Sequence, residues 1–145
     1  MLQARICVLV ALLVGAISPA TAEDYVVPTG VTVLTEEQLL KQIIGNTLMG
    51  GYGQWFNYFL PPSGDQKNGR FRYKSSSSSG SSSGDWTIHG TLMCRHYDKA
   101  TLVAFNGCYT VALDGDIVTW YESDGSPWYN RFRTLKLISG NYENL

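Results

Sequence analysis

From Thr47 onward the chain is a succession of aromatic and β-branched runs cut by turn residues, and two of the cuts are Asp-Gly steps, Asp114-Gly115 and Asp124-Gly125. Asp-Gly suits the left-handed backbone of a tight hairpin turn, so the runs on either side are expected to fold back as antiparallel neighbours. The runs are Thr47–Leu60, Gly69–Lys74, Asp85–Tyr97, Leu102–Leu113, Asp116–Tyr121 and Pro127–Ile138. The first is long for one strand, and Gly50-Gly51 with Gly53 predicts a bend or bulge within it. The expectation is an all-β protein, an antiparallel meander of about six to eight strands that forms a small barrel or a strongly curved sheet.

Register follows from the turns. With Asp114-Gly115 as a two-residue turn, Tyr109 faces Trp120, Val111 faces Val118 and Ala112 faces Ile117. With Asp124-Gly125 as another, Trp120 faces Tyr129, Tyr121 faces Trp128 and Ile117 faces Phe132. One face then carries Tyr109, Trp120 and Tyr129, and the other carries Tyr121 and Trp128. Apolar residues on both faces suit a barrel, which also removes exposed sheet edges.

One segment has a helical period. Thr35-Glu36-Glu37-Gln38 has the form of a capping box with acidic residues in the first turn, Leu39, Leu40, Ile43 and Ile44 make an apolar stripe, and Gly45-Asn46 stops it. A single short helix over Thr35–Ile44, packed outside the sheet, is expected, after an extended lead-in over 23–34.

The first 22 residues read as an address. Arg5 precedes an apolar run from Ile6 to Ile17, Ser18-Pro19 break it, and Ala20-Thr21-Ala22 offers the small residues of a cleavage site before Glu23. The alternative, a membrane anchor, is disfavoured because the run is short against about 30 Å of hydrocarbon. Removal of Cys7 with this segment leaves Cys94 and Cys108. In an oxidising compartment an even pair reads as one disulfide. Its loop of about 15 residues is worth about 3 kcal/mol on a chain-entropy argument. A register centred near Thr101 sets the two cysteines opposite each other. A zinc site would lack a second cysteine pair.

With 11 Lys+Arg against 12 Asp+Glu, a net charge of -1 and no basic block, a nucleic-acid partner is not expected. Ser75–Gly84 reads as a flexible Ser/Gly loop at a hairpin tip, with a modified tract as the alternative. Asp114, Asp116, Glu122 and Asp124 lack the order of a calcium loop and are explained by turns. His89 and His96 would lie on opposite faces of one regular strand, so no metal, cofactor or catalytic residue is assigned. Arg70-Phe71-Arg72 and Arg131-Phe132-Arg133 each put two arginines on one face, either a solvated edge or, if neighbours, an anion site. The aromatics are the most suggestive feature, because Tyr and Trp join apolar area to a polar handle.

Gly45-Asn46-Thr47, Trp55-x-x-Tyr58, Pro62-x-Gly64, Gly84-x-Trp86-x-Ile88, Cys94, Cys108-Tyr109, Asp114-Gly115-Asp116 and Gly140-Asn141 together resemble a group of small exported proteobacterial proteins of uncharacterised function, β-rich and somewhat lipocalin-like. The resemblance covers residues 35–145 and is carried by turn and packing residues. It implies a periplasmic setting and transfers no catalytic residue; the serine tract departs from the pattern.

The resulting expectation is a periplasmic or secreted, non-enzymatic binding module without a stable membrane anchor. Its small apolar or amphipathic ligand would lie in a cup built from Tyr109, Trp120, Tyr121, Trp128, Tyr129 and Arg131. The alternative is a protein-interaction module, such as an inhibitor of an exported hydrolase, with the loop around Ser123–Tyr129 inserting into its target. An enzyme would need Asp85, His89, His96 or Glu122 to converge.

Overall fold

A computed structural model describes residues 25–128 and 135–145. Eight strands, β1 (Thr47–Gly50), β2 (Trp55–Phe59), β3 (Asn68–Ser75), β4 (Ser81–His89), β5 (Leu92–Tyr97), β6 (Gly107–Asp114), β7 (Ile117–Tyr121) and β8 (Leu135–Ile138), form a closed barrel in chain order. Every neighbouring pair is antiparallel, and β1 closes on β8 through Leu48↔Leu137. The meander and the barrel read from the turns are therefore present. Two of the runs are each two strands: the first folds at Gly50–Gln54, the third at Gly90-Thr91, where Gly90 has φ of 60°.

The inward face follows from the pairing. Phe59 pairs with Phe71, Trp86 with Arg95, Met93 with Tyr109, Val111 with Trp120 and Val118 with Leu135, and all of these side chains are buried. Glycines stand opposite the bulkiest of them. Gly84 pairs with Phe71, Gly69 with Trp86 and Gly107 with Arg95. A Cβ on Gly84 would lie 2.2 Å from the His96 carbonyl oxygen and 2.4 Å from the Phe71 ring. The missing side chain is what lets a ring lie across the narrow interior.

This changes the reading of the serine tract. Ser81, Ser82 and Ser83 are the start of β4, paired with Lys74, Tyr73 and Arg72, and Gly84 is buried. Only the turn between Ser75 and Ser81 lies outside the strands. Serine has little strand preference, but here each backbone group is held by an established neighbouring strand, and that overrides it.

The helix is capped as expected: Gln38 N–H donates to Thr35 Oγ1 at 3.3 Å and Thr35 N–H to Gln38 Oε1 at 2.9 Å. An α turn, α1 (Glu36–Gln38), runs into a π turn (Leu39–Ile43), and Gly45, with φ of 82°, leaves it by donating to the Phe59 carbonyl. It does not sit on the outer wall. Leu39 and Ile43 are fully buried in the same core as the barrel interior. Glu36 reaches Lys67 and the Gly90 N–H, on the β2–β3 and β4–β5 connections. The helix thus stops that end of the barrel, with its apolar stripe packed on the barrel interior.

The lead-in from residue 25 and the tail after β8 lie along the outside. Val26 N–H donates to Ser123 O and Leu34 N–H to Val111 O, so the lead-in runs from the β7–β8 connection toward the helix end. After β8, Gly140 N–H donates to Asn46 Oδ1 and Tyr142 stacks near Phe56, with ring centres 5.9 Å apart. No helix among the described residues is long and apolar enough to cross a membrane.

Candidate functional site: a caged arginine at the barrel end opposite the helix

Antiparallel strands alternate in direction, so the β1–β2, β3–β4, β5–β6 and β7–β8 connections share the end away from the helix. Cys94 and Cys108 are directly paired there on β5 and β6 and are joined by a disulfide. That link sets the parity of everything beside it: Met93, Arg95 and Tyr97 point inward with Tyr109, and the cysteines point outward.

Arg95 is the unexpected member. It is 3% exposed, faces the barrel interior, and is surrounded by four rings. Its guanidinium carbon lies 4.2 Å from the ring centre of Trp128, 4.5 Å from Trp120, 5.4 Å from Tyr109 and 5.6 Å from Tyr97. The rings are also packed on one another, Tyr109 and Trp120 at 5.0 Å and Tyr109 and Trp128 at 5.6 Å between centres. Burial pushes the Tyr109 phenol up, against the opposing pull of the Arg95 charge.

The cage satisfies the charge only partly. Arg95 Nε donates to the Phe105 carbonyl at 3.2 Å, from the 3₁₀ segment Ala100–Phe105 that connects β5 to β6. Nη1 and Nη2 are buried and have no hydrogen-bond partner, and neither has Trp120 Nε1. No carboxylate of the described residues pairs with Arg95; their ion pairs are Lys67–Glu36, Arg70–Asp85, Arg70–Asp98, Lys74–Glu143 and Lys136–Asp116. Ring faces attract a desolvated cation by about 2 kcal/mol or more each, but they accept no hydrogen bond of ordinary strength. Burying an unpaired charge costs several kcal/mol. The site is therefore short of hydrogen-bond acceptors, and its surplus donors share one region.

Of the residues expected to form a cup, the structure brings together Tyr109, Trp120 and Trp128. Tyr121 is half-buried and lies on the opposite face of β7 from Trp120. Tyr129 and Arg131 lie outside the described residues. The expected registers are corrected in two ways. The first turn is centred on Gly115-Asp116, with Asp114↔Ile117 paired, because Gly115 at φ of 60° leads it. Each partner moves by two positions, Val111 facing Trp120 and Ala112 facing Thr119, so the faces are unchanged.

The second turn differs by one residue, and there the faces change. Glu122 N–H donates to Ser126 O and Tyr121 pairs with Pro127, so the loop is Ser123-Asp124-Gly125 instead of two residues. Asp124 accepts from Ser126 N–H within it. Trp128 N–H then donates to Trp120 O at 2.8 Å. A shift of one turns every side chain over. Trp128, expected beside Tyr121, thereby reaches the face of Trp120. Farther along, Ile117 pairs with Lys136, not with Phe132.

Arg95 was missed at the sequence level, although a signal existed. Once Cys94 is set opposite Cys108, residues 93, 95 and 97 share the face of Tyr109, so an arginine stands in an inward series between Met93 and Tyr97. The outer wall holds the remaining candidates. Asp85 and His96 are paired across β4 and β5, but Asp85 accepts from Arg70 at 2.8 Å and His96 Nδ1 contacts Asn106 at 2.9 Å. His89 is exposed at the other end of β4. Arg70 and Arg72 flank the buried Phe71; the second Arg-Phe-Arg triplet lies outside the described residues. Among the described residues, no group of His, Cys, Asp and Glu is arranged to hold a metal.

Comparison with family models, with curated proteins and with solved structures finds no match for this chain. What stands on the structure is an eight-stranded antiparallel barrel with one short helix.

Proposed function

We propose that this protein is an exported binding module that holds a small amphipathic ligand among Tyr109, Trp120 and Trp128, at the barrel end opposite its helix. The observation that carries the reading is the buried Arg95 guanidinium with two unpaired nitrogens inside that cluster. A domain built only for stability gains nothing from surplus buried donors, whereas a ligand site uses a few polar groups among apolar walls. The disulfide and the leader-like first 22 residues support export to a periplasmic or extracellular setting.

Native mass spectrometry of the folded protein, compared with its denatured mass, tests the reading. A small molecule lost on denaturation is expected, and its loss from Trp128→Ala with the fold retained would place it in this cluster. A ligand-free mass from every preparation would sink it. A second reading, a protein-interaction module, draws on the loops at the same end. Tyr52, 78% exposed, tops a turn in which Gly51, Tyr52 and Gly53 all have positive φ, and Val103 and Phe105 are also exposed. Affinity capture that enriches one exported protein, lost on Tyr52→Ser, would favour it.

A further inference from the structure

Three features of the described residues stand out, and they differ in what they still need. Arg70 on the outer wall is already bonded to Asp85, Asp98 and Ser83. The apolar loop tips at Tyr52, Val103 and Phe105 present surface but no polar group that would select a partner. Arg95 is different, because its unmet need has a definite chemistry.

We infer that the bound molecule is an amphipathic monocarboxylate whose carboxylate is held by Arg95 Nη1 and Nη2, with its apolar body against Tyr109, Trp120 and Trp128. This rests on the binding-module reading above and specifies its ligand. The unpaired groups of the cage are donors, two guanidinium nitrogens and, on a ring 4.5 Å from the guanidinium carbon, Trp120 Nε1; the Thr110 hydroxyl, also unpaired, lies on the other face of β6. Donors without acceptors call for an acceptor-rich group, and a carboxylate offers two coplanar oxygens that match the guanidinium fork. A cationic ligand is excluded. Four rings around a point are how an ammonium is bound, but here Arg95 already fills that place and would repel a second cation.

The charge should be single. Among the described residues Arg95 is the one cation in the cage, so a dianionic head would leave one charge unmatched in a dry site. The head must also carry an apolar body, because the side chains around the guanidinium are aromatic rings. Trp128 is half-buried while Tyr97, Tyr109 and Trp120 are buried, so it is the wall of the cage nearest to solvent.

The test is titration of the purified, oxidised full chain with straight-chain C4 to C10 carboxylates, the alcohols of matching length and the matching trimethylammonium salts, followed by tryptophan fluorescence and calorimetry. Carboxylates are expected to bind at least tenfold more tightly than the alcohols, and the ammonium salts not at all. In Arg95→Met that preference for carboxylates over alcohols should vanish. The comparison among ligands on the wild-type chain needs no variant, so misfolding of Arg95→Met would not rescue the idea. Alcohols binding as tightly as carboxylates would overturn the inference and leave the binding module standing. Binding by the ammonium salts would overturn it as well. If no member of the three series bound, the inference and the cup would fall together.

Discussion

Arg95 and Trp128 meet with the guanidinium carbon 4.2 Å from the indole centre, although one belongs to β5 and the other follows the β7–β8 turn. The contact exists because Ser123-Asp124-Gly125 is one residue longer than a minimal hairpin loop, which turns Trp128 onto the inner face beside Trp120. The cage is thus built by a turn and a disulfide-anchored strand pair acting together.

Arg95 contributes charge at the expense of fold stability. Replacing a buried ion pair by apolar side chains of similar volume is often neutral or stabilising by about 1–4 kcal/mol, and a buried ion without a counter-charge has less to lose. Arg95→Met is therefore expected to raise the urea midpoint by the equivalent of about 1–2 kcal/mol in the absence of ligand. A loss above about 2 kcal/mol would instead show that the four rings hold the cation as a structural strut.

Gly84→Ala should be among the costliest single methyl additions in the molecule. Its Cβ would meet a backbone oxygen at 2.2 Å, which cannot rotate away, and the Phe71 ring at 2.4 Å. Overpacking of this kind costs about 1–3 kcal/mol. Gly80→Ala, where nothing lies within 4 Å of the added atom, is expected to stay within about 0.5 kcal/mol. Thermal melts of the two variants side by side measure the contrast, and equal melting temperatures would contradict the inward placement of Gly84.

The Cys94–Cys108 link closes a segment with a sequence separation of 14. Its removal by the double substitution to Ala should lower the unfolding free energy by about 3 kcal/mol. Urea curves with and without reductant should reproduce that difference in the wild type and show none in the variant.

Arg70 holds the Asp98 carboxyl below the usual carboxylate range, first through its hydrogen bond and then with help from Ser83. A carboxyl whose folded pKa is depressed contributes stability that is present above its unfolded pKa. That contribution is lost as pH falls through the folded value. Arg70→Gln should return Asp98 toward the ordinary range, read by carboxyl NMR titration, and reduce the acid sensitivity of the β3–β4–β5 wall between neutral pH and strongly acid solution. An unchanged Asp98 titration would show that the Arg70 contact does not persist in water. Both groups are well exposed, so the effect on global stability is small.

Much of this architecture could be read along the chain because its determinants are local. Period-two alternation and turn glycines marked the strands, the Thr35–Gln38 box and the stripe through Leu39 and Ile43 marked the helix, and the pair Cys94 and Cys108 marked the disulfide. Even the faces of Tyr109, Val111, Val118 and Trp120 followed from one Asp-Gly turn, because an error of two in register leaves the faces unchanged. Other features depended on distances no local pattern encodes. Closure of β1 on β8 needs all eight strands at once. The helix became an end-stop because its apolar stripe packs into the same core as the barrel interior. Gly84 left the serine tract for the core because Phe71, on the neighbouring strand, needed its space. The cage around Arg95 joins β5, β6, β7 and the segment after β7, and its decisive step is a single residue in the loop at Asp124-Gly125. Turn chemistry announces that such a loop exists, but its length in three dimensions is settled by which side chains the closed barrel can bury.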